Sequence, residues 1–532
     1  MSSTLKEATS ANKRWGMVVD LNRCVGCQTC TIACKQTNDT PPGVQWRKVI
    51  DIETGAFPDV QRLFMVTGCQ HCDEPPCVPV CPTGATTKRE DGIVAIDYDQ
   101  CIGCAYCVVS CPYQARTLIH KDAGYYGEKT KQENATSHPE RLGVAQKCTF
   151  CQPKVDEGLA KGLMPGIDLE ATPACAASCI AQAINFGDFN DKESNVSVLS
   201  RENSTMRLNE YLGTDPQIKY LYTTPTVKGR DLSQKPFTQT EESLRDPANP
   251  VVGSLQQFWD WRAAMNWVFG GMGSGLLALT VIFAVVDLIP MDIAKNLILY
   301  SLASISVGLF FVFLKIGRKL RFWRAILKPQ TSWMTRELYV VAALFPVSLF
   351  AAVNPQPLTL ILSGLLATSF LLCQSMILYK ARGIPAWRAI HIPWMIFFGG
   401  LLEGFGLLQI FLELHGSYLD QKLTFICGSA LVLMSSSLWY RYISQGDKQL
   451  PPLAMSVLRS ISPILYGLVM LMFGELVYGW LVSEHGHYLF TLFGLVVIGY
   501  GFLWKFSVIV RASYFNGLSY SFAPQRGSGN CA

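Results

Sequence analysis

The chain has 532 residues, 49% of them hydrophobic and 16% charged, with a formal net charge of +5 and 19 cysteines. A disulfide scaffold is not expected, because such scaffolds are short secreted chains whereas this chain is long and no signal peptide is read before its cysteines. The net charge identifies no partner by itself, although its distribution along the chain carries information.

Sixteen of the cysteines fall in the first 179 residues, in four groups of four. They are Cys24, Cys27, Cys30 and Cys34; Cys69, Cys72, Cys77 and Cys81; Cys101, Cys104, Cys107 and Cys111; and Cys148, Cys151, Cys175 and Cys179. The first and third have the C-x2-C-x2-C-x3-C spacing of bacterial ferredoxins, in which the fourth thiolate of a run ligates a different cluster from the first three. Sixteen thiolates in this pattern predict four [4Fe–4S] clusters, a wire for single electrons. Structural zinc accounts for isolated C-x2-C pairs but not for the C-x2-C-x2-C-x3-C-P run from Cys101 to Pro112.

This half repeats internally. Met17-Val18-Val19-Asp20 leads into Cys24-Val25-Gly26-Cys27, and Val94-Ala95-Ile96-Asp97 into Cys101-Ile102-Gly103-Cys104. Each reads as a short strand followed by a glycine turn that brings the backbone close to a cluster. Ala85, Ala115 and Ala183 follow the fourth cysteine of three groups at one offset. The expected fold class is an α+β four-cluster ferredoxin-type domain over 1–205. Residues 206–260 are polar, with Lys235-Pro236 and Asp246-Pro247-Ala248-Asn249-Pro250, and read as a linker or strap.

From 261 to 532 the expectation is an all-α membrane bundle. A spanning helix needs about 20 mostly apolar residues, and runs near 265–288, 296–314, 335–353, 358–378, 392–412, 422–440, 461–482 and 488–510 supply eight. Trp259, Trp261, Trp267, Trp333, Trp387 and Trp394 near their ends suggest an interfacial aromatic belt. Fifteen Lys and Arg residues lie on the side of the cysteine domain, among them Lys315, Arg318, Lys448 and Arg526, against Lys295 and Lys422 across the membrane. That bias predicts a multi-pass protein of the cytoplasmic (cell inner) membrane with its cysteine domain in the cytoplasm.

None of the seven histidines, His485 and His487 included, lies deep in a predicted span, which argues against a haem-bearing anchor. A lipid-soluble quinone is then the natural partner, and its two-proton chemistry requires ionisable groups. Candidates are Lys315 and Glu337, with Trp333 and Arg336 close by, and Glu403 and Glu475 inside spans. Asp287 reads as an exposed interfacial residue, and Cys373, Cys427 and Cys531 as ordinary small residues.

Gly143-Val144-Ala145-Gln146-Lys147-Cys148-Thr149-Phe150-Cys151 and Cys69-Gln70-His71-Cys72-Asp73-Glu74-Pro75-Pro76-Cys77 resemble the iron–sulfur subunit of the dimethyl sulfoxide reductase family of molybdenum oxidoreductases. Ser332-Trp333-Met334-Thr335-Arg336-Glu337, Ile384-Pro385-Ala386-Trp387 and Gly474-Glu475-Leu476 resemble that family's eight-span anchor subunit, so two subunits look fused. The resemblance implies clusters held by Cys24, Cys27, Cys30 and Cys179; by Cys34, Cys148, Cys151 and Cys175; by Cys69, Cys72, Cys77 and Cys111; and by Cys81, Cys101, Cys104 and Cys107. It places the last nearest the membrane and the first nearest a molybdenum (bis-pterin) catalytic subunit. Cys104 stands where related nitrate reductases have a Trp and a three-iron cluster. Lys315 stands where the anchor family has a His for quinol binding, beside Glu337.

The chain has no nucleotide-binding glycine fingerprint and no pterin domain, so substrate chemistry belongs to another polypeptide, and no nucleic acid is expected as partner. The implied role is electron transfer and membrane anchoring for a molybdenum enzyme that exchanges electrons with the quinone pool (ubiquinone, menaquinone or plastoquinone). Sulfite oxidation, as in a sulfite dehydrogenase, is the leading version. The alternatives are a quinol-driven reductase for dimethyl sulfoxide, polysulfide or tetrathionate, and a proton-translocating membrane protein using Glu403 and Glu475.

Overall fold

The computed structural model describes residues 12–54, 61–222, 242–446, 449–481 and 486–519. The chain divides into two compact units, Met1–Ser254 with Asn516–Ala532, and Leu255–Phe515. Lys235, Pro236, Lys448, His485, Arg526 and Cys531 lie outside the described residues.

Among its described residues the first unit has ten short strands, β1 Trp15–Asp20, β2 Arg47–Thr54, β3 Gln61–Gly68, β4 Thr86–Lys88, β5 Val94–Ile96, β6 Arg116–Leu118, β7 Ala145–Lys147, β8 Ile184–Asp188, β9 Thr205–Met206 and β10 Ile218–Leu221. One sheet has the order β8-β1-β10-β9, with β1 parallel to β10 and antiparallel to β8. The pairs β2–β3, β4–β5 and β6–β7 are separate antiparallel ribbons. Trp15, Met17 and Val19 of β1 and Phe186 of β8 enter one core that also contains many of the cysteines. The Trp15 and Phe186 rings stack at 5.3 Å, a contact worth about 0.5–1.5 kcal/mol beyond the area it buries.

The linker expected over 206–260 is in part ordered structure. Ile218 and Tyr220 are fully buried in β10, an inner strand of the sheet. The tail also returns to this unit, where Asn209 N–H donates to the Ser519 carbonyl and Leu518 N–H to that of Val251. Four residues with a partner strand some 200 positions away give no local periodicity, so the polar composition around them dominates the sequence signal.

Among its described residues the second unit has eight helices long and apolar enough to cross a membrane. They are Trp261–Val285, Met291–Lys315, Trp333–Val353, Pro357–Lys380, Ile392–Leu414, Gln421–Gly446, Pro452–Leu481 and His487–Arg511, numbered here as spans one to eight. Spans one and five are the most enclosed. They cross where Gly275 and Gly404 let the backbones meet, since a Cβ on Gly275 would strike the Gly400 carbonyl and one on Gly404 the Gly275 backbone. Small residues at such crossings allow the close packing that holds helices together in lipid. Leu299, Phe310, Leu365 and Met470 point outward, as lipid-facing residues would.

The aromatic belt needs correction. Trp261 and Trp394 are half exposed, but Trp259, Trp267 and Trp387 are buried. The Trp267 indole donates to the Gln374 carbonyl at 3.0 Å, and that of Trp387 to the Val508 carbonyl at 2.9 Å. These indoles sit inside the bundle because their N–H groups find internal carbonyls there. Asp287 is exposed, and Cys373 and Cys427 stand singly within spans four and six.

Candidate iron–sulfur centre

The two repeated turns are built alike. Asp20 and Asp97 each accept, at the side chain, an amide hydrogen bond from two residues on, Asn22 at 2.9 Å and Asp99 at 2.8 Å. Their carbonyls accept from the N–H of Cys24 and Cys101, both at 3.2 Å. Gly26 and Gly103 both have φ of 72°, a conformation open to glycine at little cost. A Cβ on Gly26 would also stand 2.6 Å from the Phe64 ring. Gln28 and Ala105 follow with φ of 63° and 62° and start the helices Thr29–Thr37 and Tyr106–Val109. Those helices carry the third thiol of their groups inward, and the fourth follows within or just beyond them. Cys151 likewise has positive φ, at the start of Gln152–Ala160.

The thiols gather crosswise in the sequence. A small cavity is lined by Cys24, Cys27, Cys30 and Cys179, and the charge of Cys30 is influenced by those of Cys24 and Cys179, with Cys175 beside them. The charges of Cys148, Cys175 and Cys151 bear on Cys34, those of Cys69, Cys77 and Cys111 on Cys72, and those of Cys101, Cys81 and Cys104 on Cys107. The fourth thiol of each run is therefore within electrostatic reach of another run's thiols. None of the sixteen is held in a disulfide.

The donor set fits iron–sulfur cubes better than single ions. A zinc site closes its ligands around one ion with Zn–S bonds of about 2.3 Å. Among the described residues no three His, Cys, Asp or Glu approach closely enough to share one ion. A cube with an iron at each attachment point accepts thiolates that stand further apart. Burial pushes the Cys30 thiol up to about 11 and that of Cys111 to about 12, so ligation rather than the protein alone must supply the thiolate form.

Three cations are buried among these thiols, and sequence reading passes over all of them. Arg47 is 0% exposed. Its Nη2 donates to the Met17 sulfur at 3.2 Å, and its Nε and Nη1 have no hydrogen-bond partner among the described residues. Gly68, opposite Arg47 in the β2–β3 ladder, makes room, because a Cβ there would sit 3.3 Å from Nη1. Burial opposes the Arg47 charge, but Cys175, Cys148 and Cys34 hold it above its ordinary range. Arg116 Nη2 donates to the Cys77 sulfur at 3.0 Å and Nη1 to Thr86 Oγ1 at 3.2 Å. Lys147 Nζ donates to the carbonyls of Cys148, at 2.7 Å, and of Val94. Burial draws the Lys147 ammonium below its usual value, against the pull of Cys69. The available signal was positional, since Lys147 precedes a ligand and Arg47 and Arg116 each open a strand.

In the helical unit, Lys315 is buried and sits 4.8 Å from the Trp259 ring. Glu337 is buried, and its Oε1 has no hydrogen-bond partner among the described residues. Arg336 lies 4.4 Å from the Trp333 ring and donates to the carbonyls of Pro329 at 2.8 Å and Gln330 at 2.7 Å, which fixes the loop before span three. Glu403 pairs with Lys505 at 2.6 Å, both buried, and Lys505 also donates to the Trp267 carbonyl at 2.8 Å. Lys505 is absent from the sequence-level candidates because one lysine near the end of an apolar run reads as an interfacial residue. Both carboxylate oxygens of Glu475 are buried without a hydrogen-bond partner among the described residues. Two π-helical turns, Asn266–Gly270 and Ser507–Arg511, flank the Lys505 neighbourhood, and such turns are frequent at functional positions.

A family model described as a 4Fe-4S dicluster domain matches residues 60–125, the stretch that contains the second and third cysteine groups. The chain is 43% identical to a selenate reductase subunit of Mesobacillus selenatarsenatis, over 39% of this chain and 72% of that one. It is 37% identical to the iron–sulfur cluster-binding subunit of menaquinone reductase of Nitratidesulfovibrio vulgaris, over 39% and 88%. It is also 37% identical to a sulfite dehydrogenase subunit of Allochromatium vinosum, over 38% and 81%. With its crosswise thiols and dicluster match, and with eight apolar helices continuing the same polypeptide, the chain belongs to the iron–sulfur subunits of the dimethyl sulfoxide reductase family.

Proposed function

We propose that this chain carries single electrons between a molybdenum catalytic subunit and the quinone pool, and anchors that subunit to the membrane. The observation that supports it most is that the fourth thiol of each run lies within electrostatic reach of another run's thiols, none of the sixteen being in a disulfide. Cys24, Cys27, Cys30 and Cys179 would hold one cube; Cys34, Cys148, Cys151 and Cys175 a second; Cys69, Cys72, Cys77 and Cys111 a third; and Cys81, Cys101, Cys104 and Cys107 a fourth. Cubes of this kind supply one-electron carriers when bound. The protein's own part is to exclude water, hold the ligands apart and set the local charge.

In the helical unit, Lys315 would place a cation against a quinone oxygen, and Glu337 would hold or release the accompanying proton. Trp333 and Arg336 would shape the entrance, with Glu403 and Glu475 as the further candidates. Electrons from sulfite to quinone remain the leading reading. The relative named for sulfite dehydrogenase supports it, as does the bias of fifteen basic residues against two, which favours a cytoplasmic cysteine domain. The relative named for selenate reductase favours the reverse, a quinol-driven reductase.

The test is metal analysis with spectroscopy of the purified chain and its Cys104→Ser variant. Four cubes require about sixteen irons per chain, and the variant should perturb one cluster and leave the other three. Stoichiometric zinc with little iron would reject the reading. The large subunit that co-purifies then decides between sulfite oxidation and reduction of an oxyanion.

A further inference from the structure

The three buried cations are not scattered. Arg47 influences Cys30 of the first thiol set and Cys34 and Cys148 of the second. Lys147 acts on Cys148 of the second and on Cys69 and Cys77 of the third. Arg116 acts on Cys77, Cys69 and Cys111 of the third and on Cys107 of the fourth. The geometry agrees: all three are buried, Arg116 Nη2 donates to the Cys77 sulfur at 3.0 Å, and Lys147 Nζ donates to the Cys148 carbonyl at 2.7 Å, so each cation adjoins two consecutive sets.

Ordinary packing does not account for them. None forms an ion pair with a carboxylate among the described residues, although Arg14, Arg62, Lys88 and Arg89 of the same unit all do. Arg116 and Lys147 are also direct cross-strand partners in the β6–β7 ladder, and like charges placed opposite each other destabilise a ribbon. A buried cation without a counter-charge costs several kcal/mol. The groups around these three are cluster thiols, and a cube with four thiolates is a net anion that becomes more negative on reduction.

We propose that Arg47, Lys147 and Arg116 are the fixed counter-charges of the electron path, one at each junction, raising the reduction potentials of the two clusters each adjoins. The inference rests on the four-cube reading above. In each step one electron leaves the donor cluster and enters its neighbour, with no proton or bond change, so the negative charge moves past the junction cation and remains beside it. Net charge and hydrogen bonding at the sulfurs are among the factors that set cluster potentials. These residues act through the clusters and are positioning residues.

The test is a spectroscopically monitored redox titration of the purified full-length chain, with iron content measured on each sample. Arg116→Gln should lower the midpoints of the third and fourth clusters by roughly tenfold in the one-electron equilibrium, which corresponds to about 59 mV. The first two should be unchanged. Arg47→Gln should do the same at the first and second clusters. Thr86→Asp, which keeps Arg116 but places a carboxylate on its Nη1 side, should lower the same two midpoints as Arg116→Gln. Arg116→Lys and Arg47→Lys should titrate close to the unmodified protein. Loss of iron in the Gln variants that the Lys variants restore would be the same charge acting on assembly, and supports the proposal. Loss of iron in the Lys variants too, or unmoved potentials in charge-cancelled variants that retain their iron, overturns it. An unmodified chain without four titrating clusters would instead overturn the four-cube reading.

Discussion

The two units place charge in their interiors differently. The cysteine unit buries cations, Arg47, Lys147 and Arg116, with sulfur and carbonyl groups as their neighbours. The helical unit buries three carboxylates together with two lysines: Glu337 and Glu475 among apolar helices, Glu403 against Lys505, and Lys315 beside Trp259. The contrast follows from what each unit is expected to handle. Clusters are anions that change charge by one electron, so their surroundings need permanent positive charge. A quinone exchanges protons as well, and a carboxylate can hold or release one.

Removing the iron should break this comparison most severely. Three uncompensated buried cations, at several kcal/mol each, rival the 5–15 kcal/mol that usually holds a domain folded, on the order of a full domain's stability. The chain stripped of iron should lose protease resistance over the cysteine unit while the helical fragments persist. An iron-free chain that resists protease throughout would mean that the cations are not balanced by clusters.

The helical unit should be hit next hardest at its internal ion pair. Glu403→Gln leaves Lys505 charged in the bundle and should cost about 3–5 kcal/mol, read by thermal unfolding in detergent. The double variant with Lys505→Met should recover part of that loss. A single variant no less stable than the double would show that the pair contributes no stability as a pair.

A functional contrast comes third. Glu337→Gln should reduce quinone-coupled turnover by about 10²-fold and Lys315→Ala should reduce it too. Turnover with a soluble dye and the iron content should stay unchanged. Equal loss with quinone and dye would reassign both residues to structure, and no loss would redirect attention to Glu403 and Glu475.

The smallest effect concerns Asp260, which caps span one through the Arg262 N–H at 3.0 Å and pairs with the Arg262 guanidinium at 2.8 Å. Asp260→Ala should cost about 0.5–2 kcal/mol. Burial raises this carboxyl, but Arg262 and then Lys315 draw it below its ordinary 3.8. Its contribution is therefore complete above that value and is lost as pH falls through the lower folded value. Thermal scans of the two proteins should converge as the pH is lowered from 7 to well below 3.8.

What sequence made legible was local. Cys101-Ile102-Gly103-Cys104 is a turn, a ligand pair and half of a repeat within four residues, and a 20-residue apolar run is visible in any window. The residues missed have partners far along the chain. Glu403 and Lys505 are about a hundred positions apart, and β10 lies about two hundred from β1. Arg47 looks like a surface arginine until β2 turns it toward thiols from two other groups. The crosswise ligand sets were reached through family resemblance, because spacing alone cannot say which run receives a fourth cysteine.

The returning tail has a consequence for how the molecule is made. The hydrogen bonds of Asn209 to Ser519 and of Leu518 to Val251 join the unit synthesised before the eight helices to residues that follow them. At about 5–20 residues per second, the ribosome needs tens of seconds to synthesise Leu255–Phe515 after finishing Ser254. The cysteine unit must therefore wait, its clasp unfastened, until the helical unit has been translated.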